Sequence, residues 1–318
     1  MSPSISRVAA FAFAVACTQT HASCGSAFCS LLTDWSSGAA GLGASDFVDL
    51  RYESIDQSQP RSGSQKVAVG AIPRHHDEVS TRNRNLVANY THNFANEWGV
   101  SITAPLAARD HFHIHNHRGA RIDERWTFRE AGDVSVIARY RVPAAADAAP
   151  SAGAAGFLFG VKLPTGRTSI RNGAGDLAER SLQPGSGSVD AIVGAFYQKE
   201  LGASSSWFTQ ATLRHAIRGR DFKPGAQLAA DIGYAHSVTD RLSVALQLNA
   251  VLKRRDSGPL GEPADSGGRF LFLSPGVSYA VGESLRVYAV YQQPIYQYVN
   301  GVQLTAKNAV VVGINGRF

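Results

Sequence analysis

Residues 303–318 constrain the fold of this chain more than any other stretch, because apolar side chains recur there at every second position. That period places alternate side chains on opposite faces of a β-strand, whereas a helix repeats about every 3.6 residues. We expect one mostly apolar face, made of Ala306, Asn308, Val310, Val312, Ile314, Gly316 and Phe318. The opposite face is mixed and cationic, made of Thr305, Lys307, Ala309, Val311, Gly313, Asn315 and Arg317.

The aromatic residue at the end of this strand points to a class of β-proteins. A terminal Phe after such alternation resembles the closing strand of bacterial outer-membrane β-barrels, where it forms part of the assembly signal. The resemblance implies that barrel-assembly machinery recognises Phe318. The last strand of a soluble β-sandwich is the alternative interpretation, and the rest of the chain distinguishes the two.

Composition favours one β-barrel over several soluble domains. Only 18% of the 318 residues are charged, and the 31 glycines provide many turn positions. All-β barrels of this length are commonly a single domain. The net charge of +6 is spread along the chain without a block of Lys and Arg, so no nucleic-acid partner is indicated.

The first residues predict export. Residues 1–7 carry one cation, residues 8–16 are apolar, and small residues follow them. This pattern is typical of a secretory signal peptide, which we place at residues 1–23, with lipoprotein cleavage at Cys17 as the alternative. No later stretch reaches the ~20 apolar residues that a membrane helix needs, so a membrane location requires a closed barrel.

Two cysteines, Cys24 and Cys29, follow the predicted cleavage site. An even pair in an exported chain favours a disulfide bond. We therefore expect a small disulfide loop within a periplasmic N-terminal segment at residues 24–43. A redox or metal-binding role for the pair is the alternative, although the spacing differs from C-x-x-C.

Period-two alternation recurs upstream of the closing strand, in segments of strand length separated by turn-forming residues. The segments lie at 44–55, 81–94, 98–109, 133–142, 156–163, 188–199, 207–215, 226–235, 242–253, 269–281 and 285–295. With the closing strand they make about twelve strands, an even number as bacterial barrels have. We therefore expect an all-β fold, a single transmembrane antiparallel β-barrel at residues 44–318.

The connections between these segments alternate in length. Short connections lie at 93–97, 201–205, 236–240 and 282–283, and long ones at 56–80, 110–132, 164–187 and 254–268. This order is typical of an outer-membrane barrel with short periplasmic turns and long outer loops, whereas a soluble sandwich has no reason to alternate its loop lengths. Residues 143–155 and 300–301 depart from the order.

The polar faces of the strands predict the lining of the barrel, because lipid contacts the apolar faces. We expect the lumen to be lined by Asp49, Arg51, Glu53, Arg139, Arg141, Lys162, Asp190, Gln210, Arg214, Gln227, Asp231, Gln247, Asn249, Lys253 and Arg286. Mixed acids and bases favour passage of polar or charged groups through an open lumen. Side chains fill the interior of other barrels of this size, so selectivity is not determined.

Several short motifs resemble a family of outer-membrane proteins. They are K-L-P-T-G at 162–166, P-G-S-G-S-V-D at 184–190, S-P-G at 274–276, and G-D-V at 132–134 followed by A-R-Y at 138–140. Together they resemble the outer-membrane proteins grouped under the meta pathway of phenol degradation, over residues 45–318. The resemblance implies a channel for hydrophobic or aromatic compounds.

One cluster of side chains could bind a metal. His111, His113, His115 and His117 alternate with other residues, so a strand would place them on one face about 6.7 Å apart. A pair spaced H-x-H can share Zn or Cu, and His75 and His76 could lie nearby. The alternative is a polar, exposed strand extension above the membrane, with no cofactor bound.

The sequence does not indicate an enzyme, since the common hydrolase, metalloprotease and nucleotide-binding motifs are missing from it. We expect an outer-membrane channel or facilitator through which small solutes diffuse passively, with outer-membrane lipid around it. A metal-binding or structural barrel and an outer-membrane hydrolase are the alternatives. The sequence does not predict an oligomeric state.

Overall fold

The computed structural model describes residues 31–33, 45–71, 77–117, 120–143 and 153–318, which form an antiparallel β-barrel. Within these ranges no helix is long and apolar enough to cross a membrane. The strands are β1 (Ser45–Gly63), β2 (Gln65–Lys66), β3 (Asp77–Asn93), β4 (Trp98–His117), β5 (Ala120–Ala131), β6 (Val134–Arg141), β7 (Ala154–Leu163), β8 (Val189–Glu200), β9 (Ser205–Arg218), β10 (Gln227–Ser237), β11 (Leu242–Lys253), β12 (Gly268–Ala280) and β13 (Leu285–Arg317).

The sheet closes because β13 pairs with β1 as well as with β12. Among the described strands, eleven form the ring, while β2 and β5 lie outside it. The last strand occupies two positions in the ring, since its first part pairs with β12 and its second part with β1. The two parts lie side by side, because the Arg317 amide donates to the Ser284 carbonyl at 3.0 Å and the chain reverses at Gly301, whose φ is 60°. Counting β13 twice gives twelve positions, as the alternation predicted.

The barrel has two distinct ends. Residues 94–97, 201–204, 238–241 and 281–284 connect strands at one end, which we call the turn end. Longer connections at residues 164–188, 219–226 and 254–267 lie at the other, which we call the loop end. In outer-membrane barrels the short turns are periplasmic and the long loops face outward. The four predicted short turns and the long connections predicted at 164–187 and 254–268 are confirmed.

Burial follows the predicted alternation along most strands. On β1, Asp49 and Arg51 are 0% and 2% exposed. The alternating residues Leu50 and Tyr52 are each 41% exposed. Leu246 on β11 is likewise exposed. An outer surface of apolar side chains around a polar interior is the arrangement that lipid requires, since lipid cannot hydrogen-bond with polar groups.

Two predicted loops are largely strand. Residues 110–132 form a hairpin in which β4 continues to His117 and β5 returns, paired from His117 with Ala120 to Leu106 with Ala131. The backbone groups of this extension are paired strand to strand, as they are in the rest of the sheet. The expectation of a loop over 110–132 was therefore wrong. The loop expected at 56–80 is also shorter, since β1 extends to Gly63 and β3 begins at Asp77.

A β-bulge in the closing strand, β13, reverses which of its side chains face the interior. Asn308 pairs with Asp56 but Ala306 pairs with Gln57, so Lys307 is an extra residue. A bulge of one residue moves the following side chains to the opposite face. Ala306 is therefore buried at 3% exposure and Lys307 is exposed, the reverse of the faces predicted for them.

Candidate channel interior

The residues predicted to line the lumen all point away from the lipid-facing surface. Eleven of them are buried: Asp49, Arg51, Glu53, Arg139, Lys162, Asp190, Gln210, Gln227, Asp231, Gln247 and Asn249. Arg141, Arg214, Lys253 and Arg286 are partly buried. These residues thus lie away from the lipid-facing surface, and their role in lining a channel stays a prediction. Strand alternation alone does not give the contacts that they make.

A charged cluster lies on β1 toward the turn end. The Arg51 guanidinium lies between two carboxylates, 2.9 Å from Asp49 Oδ1 and 2.8 Å from Glu53 Oε1. The Tyr288 hydroxyl donates to Asp49 Oδ2 at 2.6 Å. Burying a charge is costly unless a partner compensates it, and here each charged group has one. Asn85 Nδ2 adds a donor to Glu53 at 3.3 Å.

Amide side chains continue this polar lining toward the loop end. Asn83 Nδ2 donates to Gln57 Oε1 at 2.8 Å, and Arg109 Nε donates to Asn83 Oδ1 at 2.8 Å. These three residues come from β1, β3 and β4, at inward positions of paired strands. Cross-strand neighbours on one face stand close enough for such bonds. The network therefore spans three strands.

The family-like motifs converge on a second charged cluster, at the loop end. Lys162 Nζ lies 2.6 Å from Asp133 Oδ2 and 3.5 Å from Asp190 Oδ2, and it also donates to Ser186 Oγ. Asp133 Oδ2 accepts from the Ser186 amide at 2.9 Å, and its Oδ1 accepts from the Gly166 amide at 3.0 Å. Motifs that looked like simple turns in the sequence thus join β6, β7 and β8. Sequence reasoning missed Asp133 and Ser186, although both lie within the quoted motifs.

Residues 164–188, which connect β7 to β8, fold back over the barrel instead of extending away from it. Leu182 and Ala178 are buried against Trp126 of β5. The Arg109 guanidinium donates to the Leu182 carbonyl. Gln183 accepts from the Ile170 amide at 2.9 Å and donates to the Ala178 carbonyl at 2.8 Å. The connection therefore has its own core and narrows the loop end.

A pocket lies beside this connection at the loop end. It measures about 640 Å³, including space open to solvent, and its lining includes Arg180, Phe222, Asp256 and Gln303. Arg180 stacks over the Phe222 ring at 5.6 Å. Burial lowers the pKa of the Arg180 guanidinium, while the charges of Asp221 and Asp133 oppose that shift. The loop end thus offers a polar, mixed-charge entrance.

The N-terminal segment reaches the barrel interior, which the sequence did not predict. Leu31, Leu32 and Thr33 are 6%, 1% and 2% exposed. The two leucines pack in one cluster with Phe208 and Tyr288, which lie close to the turn-end starts of β9 and β13. The rest of the predicted segment 24–43, including Cys24 and Cys29, and the predicted signal peptide lie outside the described residues. Three residues of that segment therefore occupy the interior near the turn end.

The histidine cluster forms a hydrogen-bonded chain. His111 Nδ1 lies 2.7 Å from Thr81 Oγ1, His111 Nε2 lies 3.3 Å from His113 Nδ1, and His113 Nε2 lies 2.5 Å from Glu124 Oε2. Trp126 packs against both imidazoles, with ring centroids 5.8 Å and 4.9 Å away. The side chains of His115 and His117, and both His75 and His76, lie outside the described structure. Among the side chains that are described, no group of three or more His, Cys, Asp or Glu is arranged to hold a metal ion.

The end of the closing strand completes the ring. Phe318 N donates to the Asp46 carbonyl, and Asp46 N donates to the Phe318 carbonyl, both at 3.0 Å. The Phe318 side chain is 73% exposed, so its ring contributes little to packing within the barrel. The backbone at this position closes the ladder, while the ring is free to contact lipid or another molecule.

Comparison with known proteins supports the same architecture. Residues 150–304 match the family model described as "Putative MetA-pathway of phenol degradation". The barrel is similar to the crystal structure of an outer membrane channel from Pseudomonas putida F1, with a TM-score of 0.66 at 11% identity over 87% of this chain and 96% of that chain. At that identity the likeness establishes the fold.

Two further barrels show more distant likeness. The β domain of the Bordetella autotransporter BrkA has a TM-score of 0.47 at 10% identity, covering 86% of this chain and 100% of that chain. The NanC porin has a TM-score of 0.46 at 10% identity, covering 85% of this chain and 98% of that chain. No curated protein sequence matches this chain. The matched segment covers just under half of the chain, so we conclude that residues 150–304 are similar to this family and that the chain folds as a closed β-barrel of the outer-membrane type.

Proposed function

We propose that this protein is a passive outer-membrane channel for small molecules and not an enzyme. The proposal rests on the polar lining of the barrel. This lining begins with Asp49 and Arg51 near the turn end, continues with Asn83, and reaches Lys162 and Asp190 at the loop end. Buried polar groups favour water or one another over apolar side chains. These side chains are buried and pair with their neighbours, so hydrated solutes pass along this lining when the interior opens.

Apolar patches beside the charged clusters indicate the class of solute. Phe270 and Phe272 on β12 are buried with Val251, and Phe196 is buried with Leu158. Arg139 stacks over the Phe196 ring at 4.2 Å. An aromatic solute with a polar group can contact apolar surfaces and hydrogen-bond partners together. We therefore propose small aromatic or otherwise amphipathic compounds as the solutes.

Planar-bilayer recording tests the channel proposal. The purified barrel should give discrete conductance steps in salt solution, and reconstituted liposomes should swell faster in small aromatic acids or alcohols than in a sugar of similar mass. Channels that open but admit sugars equally well would reject the solute class and keep the channel. Absence of both conductance and swelling would reject the channel itself.

One contact is relevant to the hydrolase alternative. Ser205 Oγ lies 2.9 Å from His236 Nδ1, within the distance that a nucleophile and its base require. Tyr234 also donates to Ser205 Oγ at 2.8 Å. Within the described chain no carboxylate hydrogen-bonds or ion-pairs with His236, so the third group of a triad has no candidate. A panel of ester substrates, with Ser205→Ala as the control, distinguishes this alternative from a channel.

A further inference from the structure

The lipid-facing surface near the loop end carries a row of side chains in direct cross-strand register. Leu213 lies beside Leu228, Leu228 beside Leu252, Leu252 beside Arg269, and Arg269 beside Tyr298. All five point outward, and the three leucines are 44%, 40% and 47% exposed. The row crosses five strand positions at one level of the barrel. It therefore forms a continuous surface and not a set of scattered side chains.

A groove lies immediately above this row. Two residues further toward the loop end, the same strands present His215, Ala226 and Arg254, and the Arg254 amide donates to the Ala226 carbonyl at 2.8 Å. The small Ala226 side chain leaves a gap between its larger neighbours. The groove has a volume of about 1190 Å³, including space open to the surroundings. Its outer part is therefore polar and its inner part is apolar.

Two arginines at this groove are not neutralised by the protein, whereas the third cation of its lining, Lys253, pairs with Asp256 at 2.9 Å. Within the described residues no carboxylate pairs with Arg254 or Arg269. The Arg269 guanidinium lies over the Tyr298 ring, 5.7 Å from its centroid, which holds it at the rim. Guanidinium groups bind phosphate oxygens through two parallel hydrogen bonds. The two arginines therefore favour an anionic group with phosphate geometry.

Further toward the middle of the membrane, the outward surface becomes shallow. Two residues along each strand from the leucine row, on the side away from the loop end, Ala211, Ala230 and Ala250 lie side by side. The three alanines form a shallow trough that runs around the barrel wall, directly below the leucine row. The trough lies in the region that acyl chains occupy. The surface thus combines a cationic rim, an apolar wall and a shallow apolar band.

We propose that this groove binds a phosphorylated lipid of the outer leaflet, of the lipid A type. Its phosphates contact Arg254 and Arg269, and its acyl chains lie against Leu228 and Leu252 and across the alanine trough. Charge complementarity selects this occupant over an uncharged lipid, and the long outward wall selects a lipid over a soluble anion. Attraction between basic side chains and anionic lipids is a general feature of membrane proteins.

Native mass spectrometry of the purified barrel tests the proposal, with diphosphoryl lipid A and dephosphorylated lipid A as probes. We expect Arg254→Gln/Arg269→Gln to weaken binding of the diphosphoryl lipid about thirty-fold. The matched control is Arg82→Gln/Arg84→Gln, two outward cations of β3 that lie in register with Asp56 and Ser54. The control should bind as the wild type does. Equal weakening by both pairs, or equal binding of the two lipids, would overturn the proposal.

Two further measurements keep the proposal falsifiable if the arginine variant folds poorly. Ala226→Trp fills the groove without changing its charge, and it should also weaken binding of diphosphoryl lipid A. Inorganic phosphate in excess should not displace the lipid, because it cannot use the apolar wall. Displacement by phosphate would indicate a simple anion site, and a change of oligomeric state in the variants would indicate a contact between copies of this chain. Either result would overturn the proposal.

Discussion

Gln247 holds Leu32 inside the barrel by two hydrogen bonds. Its Nε2 donates to the Leu32 carbonyl at 2.7 Å, and its Oε1 accepts from the Leu32 amide at 3.3 Å. The side-chain amide thus acts as a short partner strand for a segment 215 residues away in the chain. A backbone segment in the interior needs such partners, since its peptide groups are removed from water.

Gln247→Ala should increase single-channel conductance, because it removes both bonds that hold the N-terminal segment in the lumen. We expect a loss of about 1 kcal/mol in barrel stability, typical of a lost hydrogen bond. Planar-bilayer recording and protease sensitivity of the N-terminal segment measure the effect. Gln293→Ala, which changes an exposed glutamine, is the control. Conductance equal to that of the control would contradict an obstructing role for Leu32.

Lys162→Met should destabilise the barrel by about 3–5 kcal/mol, because it leaves the buried Asp133 carboxylate without its cation and Asp190 with only Arg214, 3.7 Å away. Urea unfolding in micelles, followed by tryptophan fluorescence, gives the change in the free energy of unfolding. Adding Asp133→Asn should recover part of the loss. Lys307→Met, at an exposed position, should stay within about 0.5 kcal/mol of wild type. Equal effects at both lysines would refute the role of the charged cluster.

Phe318→Ala should lower the amount of barrel assembled in the outer membrane while leaving refolding in detergent unchanged. The backbone bonds between Phe318 and Asp46 do not depend on the ring, whereas recognition by assembly machinery would. Membrane fractionation and heat-dependent gel mobility measure the two effects. Phe94→Ala, at an exposed turn-end aromatic, is the control. A refolding defect as large as the assembly defect would argue against an assembly signal.

A metal site at the histidines stays a prediction. Each described imidazole nitrogen of His111 and His113 already has a hydrogen-bond partner, so Zn²⁺ would have to displace Thr81 or Glu124. We therefore expect only weak binding by isothermal titration, and none in His111→Gln/His113→Gln. Identical heats for wild type and variant would remove the site from these residues.

The disulfide between Cys24 and Cys29 likewise stays a prediction, and thiol titration before and after reduction tests it. Reaction of both cysteines with a thiol reagent in the unreduced, exported protein would rule the bond out. Mass spectrometry of the N-terminal peptide also locates the cleavage site of the signal peptide.

The strand pattern determined most of the fold because lipid imposes a strict rule on each strand. Outward side chains must be apolar, so Leu50 and Tyr52 could be assigned to one face and Asp49 and Arg51 to the other without knowledge of their neighbours. The rule weakens beyond the membrane. There water accepts both faces, so the extension of β4 over the histidines was only one of two interpretations and the return strand β5 was missed.

The sequence by itself thus determined the closed barrel, the alternation of exposed and buried side chains along its strands, and the end at which the short turns lie. Only the tertiary structure decided which inward groups meet. Lys162 lies in β7, Asp133 directly before β6 and Ser186 in the connection between β7 and β8, and Gln247 and Leu32 lie far apart in the chain. Alternation records which face a side chain occupies, but pairing register, the bulge at Lys307 and the return of loops into the lumen depend on contacts between distant segments.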